Sequence, residues 1–161
     1  MDISTTNALF LATHPDIRRK IERKLRPPKV IVMALKPKYA RAIYEGRKNW
    51  EFRKTPPPLF HYIHIYESAP VSAVTGWVMF SEAITGVPTV VMDFAKNNRV
   101  YTRNLTGISF DDLQKYAGFK LVTALRVYDF KRFDKPIPFE AKAPQNWGRY
   151  AYVAKTESET L

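Results

Sequence analysis

The chain has 161 residues, 45% apolar and 25% charged, the proportions of a globular protein long enough to bury a core of its own within one domain. It has no cysteine and only three histidines (His14, His61, His64), which excludes disulfides, thiolate metal sites and a cysteine nucleophile and leaves little for a histidine metal cage. The formal charge of +11 is concentrated: Asp16 to Lys54 holds fourteen Lys/Arg against four Asp/Glu, a surplus of +10, and the rest of the chain adds +1.

No apolar run approaches the ~20 residues that span a bilayer. The opening MDISTTNALFLATHPD carries an acid where a secretory leader is basic, so a soluble, cytoplasmic protein is expected. Residues before His14 show no clear period. Pro15 to Leu25 reads as a helix, with proline in the first turn, Asp16 near the positive end, and Arg18, Arg19, Lys20, Arg23 and Lys24 along it. Arg26-Pro27-Pro28 ends it. A basic stretch this dense attracts polyanions and releases their condensed counterions, or else serves as a solvated surface. Its stripe of Ile17, Ile21 and Leu25 is too narrow for a membrane anchor and lacks aromatics.

Lys29 to Leu35 is a β-branched run and reads as a buried strand. Pro37 opens a helix through Tyr44, which Gly46 ends in the left-handed region. Asn49 to Arg53 is a short strand with Trp50 and Phe52 on one face and Glu51 and Arg53 on the other. Thr55-Pro56-Pro57-Pro58 is a stiff loop inside the domain. His61 to Glu67 and Ser72 to Glu82 read as strands, and Val87 to Asn98 shows helical signals after Pro88. Ser109 caps a helix over Phe110, Leu113 and Tyr116 that Gly118 closes. Phe119 to Phe130 is the longest alternating run. Lys135 to Pro138 then reads as a loop, Gln145 to Arg149 as a turn, and Tyr150 to Ala154 as a closing strand.

From Ala34 to Lys54 the order is strand, helix, glycine, then Gly46-x-Lys48-x-x-Glu51-x-Arg53 leading into a strand. This resembles the G-x-K-x-x-E-x-R signature of the ASCH domain, a branch of the PUA-like β-barrel superfamily. Ile65 to Pro70 resembles the strand and turn that follow the signature, and Val74 to Phe80 the next barrel strand. The resemblance covers residues 29–85 well. The expected fold is therefore α+β, a small PUA-like β-barrel of five to six strands with about three short helices. An extension, 1–28, carries the basic helix; 29–155 forms the ASCH/PUA-like domain and 156–161 a frayed tail.

The spacing has its own chemistry. Glu51 and Arg53 stand two apart on a strand and share a face, with Lys48 near its start. Arg53 offers a planar fork to a phosphate, Lys48 a point charge, and Glu51 an acceptor for an exocyclic amine. The competing reading is a Lys–Glu–Arg network that closes one end of the barrel and binds nothing. Lys36 and Ser68 are counted as further nucleic-acid contacts, although neither Ser68 nor Thr75 has a base placed to make it a nucleophile. Trp50, Trp77 and Trp147 could stack on unpaired bases, and Trp147, in a polar turn, is the one expected at a pocket rim.

The resemblance implies an RNA-binding or single-stranded nucleic-acid-binding module with a regulatory role, needing no cofactor and no metal. Its alternative is a metal-independent ribonuclease or an amidohydrolase acting on acylated cytidine, with Lys48 and Glu51 catalytic. In the amidohydrolase branch a threonine nucleophile stands where this chain has Glu51, and a carboxylate substitutes poorly for it. A basic adaptor for an acidic protein partner is a third, weaker reading, because the basic face has almost no apolar stripe.

Overall fold

The structure, a computed structural model, describes residues 9–25, 29–98, 100 and 103–151. Helix α1 (Pro15–Leu25) runs over the expected span. Its Arg18 pairs with Glu22 at 2.8 Å and its Arg19 with Asp16 at 2.6 Å, both along the helix itself. Every side chain described in α1 is exposed, Ile17 and Ile21 included. Its described side chains thus present their charges to solvent and bury no apolar face.

Strand β1 (Val30–Leu35) is the β-branched run, with Ile31, Val32, Met33 and Leu35 buried. Pro37 sits at the first position of α2 (Pro37–Tyr44), where its missing N–H costs nothing. Strand β2 (Trp50–Arg53) is buried on both faces. There follow β3 (Ile63–Glu67), β4 (Ala73–Gly86) and α3 (Pro88–Lys96). Helix α4 (Phe110–Ala117) is capped by Ser109, whose hydroxyl accepts from the Asp112 amide at 3.1 Å. Strand β5 (Val122–Pro138) and β6 (Trp147–Tyr150) are the last elements among the described residues. No helix among the described residues is long and apolar enough to cross a membrane.

The six strands form one sheet in the order β2-β5-β4-β3-β1-β6. Only β1 and β3 run parallel, with α2 and β2 on the crossover between them; the other pairs are antiparallel. Register shifts at Ile65/Tyr66 and at three points between β4 and β5 bend the sheet. Two apolar clusters lie against it. One gathers Met33, Ile43, Ile63, Ile65 and Phe80, and the other Trp50, Phe52, Val91, Leu113 and Ala124.

Three local expectations are corrected. Lys135 to Pro138 is not a loop but the end of β5, with Ile137 opposite Val74 and Pro138 opposite Ala73. Prolines are tolerated there because the ladder is irregular between Val74 and Gly76 and β2 covers only Thr123 to Arg126 on the other edge. The closing strand, expected from Tyr150, starts earlier, at Trp147, and takes Trp147 to Arg149 from the supposed turn, because Met33 to Val30 pair with it residue by residue; residues 152–154 of the expected strand lie outside the described residues. Strand β3 starts at Ile63 rather than His61, and β4 runs on to Gly86. The tail 156–161 lies outside the described residues.

Candidate functional site

The signature residues are built from the end of α2. The Arg47 and Lys48 amides both donate to the Ala42 carbonyl, at 2.8 and 3.0 Å, and Gly46 makes the turn at φ 72°. Asn49 then anchors the distant segment 103–107 over the start of β2. Its amide donates to the Leu105 carbonyl at 2.8 Å, and its side chain accepts from the Leu105 amide at 2.8 Å. That strap places the Thr106 carbonyl 2.6 Å from the Lys48 ammonium, which donates to it. Gly107, at φ 64°, lies so close that a Cβ there would come within 2.8 Å of the Lys48 stem.

Lys48 is 2% exposed, between the rings of Tyr39 and Phe52, each 5.4 Å from Nζ. Burial holds its pKa below the ordinary lysine value; Glu51 opposes that shift and Arg53 adds to it. Glu51, 5% exposed, brings Oε2 to 3.9 Å from Nζ, an ion-pair distance too long for a hydrogen bond. That oxygen is buried and has no hydrogen-bond partner.

Arg53 is differently employed. Nε donates to Asn146 Oδ1 at 2.8 Å, Nη1 to the Ala34 carbonyl at 3.1 Å, and Nη2 to the Asn146 carbonyl at 3.0 Å and again to Oδ1. All three nitrogens are bonded within the protein. Since β2 and β6 are the two edges of the sheet, the guanidinium bridges one edge to β1 and the residue preceding β6. The barrel-like closure is made by a side chain; among the described residues no backbone ladder joins the two edges.

Over these residues opens a cavity of about 900 Å³. Lys48, Glu51, Phe52 and Arg53 line it, as do Lys36 and Ser68, whose hydroxyl donates to the Leu35 carbonyl at 3.3 Å. Exposed side chains from two other places also contribute: Lys38 on α2, and Lys54, Lys115, Tyr116 and Lys120 around α4.

Three solved structures from Zymomonas mobilis share this architecture, the ASCH protein itself and two single-residue variants of it. The serine-to-alanine and tyrosine-to-phenylalanine variants are each 24% identical, with a TM-score of 0.62. The alignments cover 82% of this chain and 95% of the tyrosine variant, and 84% and 96% for the serine variant. The unaltered protein matches over 81% of this chain and 92% of its own, with a TM-score of 0.61. The chain has the ASCH fold. At that identity the likeness is one of fold, and neither a protein-family model nor a curated protein matches the sequence.

In this ASCH fold the predicted residues separate into groups. Lys36, Lys48, Glu51, Arg53 and Ser68 converge on one cavity. Trp147 is not among its lining residues: its indole N–H donates to the Thr55 carbonyl at 3.1 Å and its ring packs on the first apolar cluster. Trp50 and Trp77 are buried. Arg18, Arg19, Lys20 and Arg23 lie on the exposed α1, apart from the cavity lining, and the Lys24 side chain lies outside the described residues. Among the described residues no three His, Asp or Glu side chains gather as a metal site. The sequence reading missed Asn146, the Thr106–Gly107 strap and the α4 lysines. No local pattern marks them, because each reaches the site from more than fifty residues away.

Proposed function

We propose that the protein is a nucleic-acid-binding module of ASCH type, with 29–155 as its domain and 1–28 as a basic extension. It takes RNA or another single strand, with an unpaired nucleotide in the cleft over Lys48, Glu51 and Arg53. The observation that carries this reading is Glu51 Oε2, a buried acceptor with no hydrogen-bond partner, facing a cavity of about 900 Å³. An acceptor left unmade costs about 1–3 kcal/mol, which a donor on the ligand offsets, and the exocyclic amine of a base is such a donor. Exposed α1 and the lysines at the cavity mouth supply the sequence-independent attraction. The test is titration of a short labelled single-stranded RNA at rising salt, with Glu51→Gln alongside. Binding that steepens with falling salt and weakens in Glu51→Gln supports the reading. RNA binding unaffected by that change removes Glu51 from the site.

One observation favours a second reading, hydrolysis. A buried lysine held below its usual pKa, 3.9 Å from a carboxylate, is placed for proton transfer. Incubation with labelled RNA and with N4-acetylcytidine, using Lys48→Ala as control, distinguishes turnover from binding.

A further inference from the structure

We infer that the cleft takes an internal nucleotide of a strand, whose two flanking phosphates are held on separate lysine walls, rather than a free nucleoside or a lone nucleotide. This rests on the reading of the cavity as a nucleotide site and adds what else the ligand must carry.

The floor cannot neutralise a phosphate. Every nitrogen of Arg53 already donates to Asn146 or Ala34, and the Lys48 ammonium is 2% exposed and donates to the Thr106 carbonyl. The unpartnered atom there is Glu51 Oε2, an acceptor that repels phosphate and suits a base edge. The anionic parts of a ligand must therefore lie at the mouth.

The mouth carries exposed lysines from two elements distant in sequence. Lys36 and Lys38 flank the start of α2, whereas Lys54 leaves β2 beside Lys115 and Lys120 of the α4 region. Against these five lysines stands one lining carboxylate at the mouth, Asp112. Each wall also carries a tyrosine under a lysine: Lys38 Nζ lies 4.8 Å from the Tyr39 ring, and Lys54 Nζ 4.7 Å from the Tyr116 ring. The Tyr116 hydroxyl further accepts from the Lys54 amide at 3.2 Å, which joins β2 and α4 into one wall. The exposed Tyr116 ring, with one lysine on it, offers a face to a base neighbouring the inserted one, whereas Tyr39 already holds both Lys38 and Lys48. At about 900 Å³ the cavity is near the top of the range for whole ligands, with room beyond one base and its sugar. A nucleoside uses the floor alone and a monophosphate one wall. A nucleotide with phosphate on both sides uses everything present.

The experiment compares cytidine, cytidine monophosphate and a short oligocytidylate on the full chain, on Lys38→Glu, and on Lys115→Glu/Lys120→Glu. All three changed residues are exposed, and circular dichroism checks that the variants stay folded. The expected result is an oligomer bound at least about tenfold more tightly than the monophosphate, with a steeper salt dependence, and each wall variant losing most of that gain. If the monophosphate binds but the oligomer gains nothing, or if either wall variant leaves the gain intact, the two-wall inference falls and the nucleotide site stands. If none of the three ligands binds the unaltered chain, both fall together.

Discussion

The guanidinium of Arg53 and the side-chain amide of Asn146 hold the two edges of the sheet together. Arg53 donates to Asn146 through Nε at 2.8 Å, and Asn146 passes the connection on, its Nδ2 donating to the Thr55 carbonyl at 3.0 Å and its own carbonyl accepting from the Ala34 amide at 2.8 Å. Arg53 is 8% exposed, which leaves little access for water to replace a lost partner. Asn146→Ala should therefore cost about 3 kcal/mol, mostly from a buried charge left short of acceptors. Arg53→Lys should cost a similar amount, since an ammonium lacks the planar fork. Denaturant unfolding reads both as a lower midpoint at unchanged slope, and the double variant should lose less than the sum. Strict additivity would show that the two side chains are not energetically coupled.

Two glycines separate backbone strain from steric conflict near Lys48. Gly46 has φ 72° and open space around its would-be Cβ, whereas Gly107, at φ 64°, faces the Lys48 stem. Gly46→Ala should cost about 1–2 kcal/mol for an L-residue in the left-handed region. Gly107→Ala should cost that and more, because the buried lysine has to shift, and it alone should also impair ligand binding. Equal effects at the two positions would mean that Lys48 yields freely.

Much of this was legible in the sequence for local reasons. Pro15, Pro37 and Ser109 mark helix starts through the backbone groups they lack or satisfy, and the structure places helices at all three. The strand alternation survives in the packing, with Trp50 and Phe52 together in the second apolar cluster and Glu51 and Arg53 at the cavity, although Phe52 reaches the cavity lining as well. What local patterns could not reveal is partnership. Arg53 looks like a phosphate fork until Asn146, 93 residues on, is seen to occupy it. The polar stretch around Gly148 looks like a turn until β1 is seen pairing with it. The α4 wall follows from tertiary packing alone.

His64 gives the fold an acid-sensitive element. It faces Phe133 across 6.2 Å, its Nδ1 is buried without a partner, and burial holds its pKa below 6.5, against a weaker opposing hydrogen bond donated to the Ile31 backbone carbonyl. As pH falls below 6.5, the unfolded chain takes up a proton that the native imidazole refuses. Stability is therefore full above that pH and lost as pH drops from there through the folded value, by up to about 1.4 kcal/mol per pH unit. Unfolding midpoints between pH 7 and 5 should decline in the natural chain and decline less in His64→Gln. Parallel curves for the two proteins would place the acid sensitivity elsewhere.

Helix α1 should act on ligand affinity without touching the stability of the domain. Its Arg18–Glu22 and Arg19–Asp16 pairs are exposed and screened by water, and they already engage two of its cations. Lys20 and Arg23 are the exposed positions whose reversal leaves those pairs in place. Lys20→Glu/Arg23→Glu should weaken binding of a short single-stranded RNA and reduce the slope of log K against log salt by about 0.7 for each phosphate that α1 no longer neutralises. Because the described α1 side chains bury nothing, the thermal midpoint should stay where it is. An unchanged slope would confine nucleic-acid recognition to the cleft, and a fallen midpoint would show that α1 packs on the domain after all.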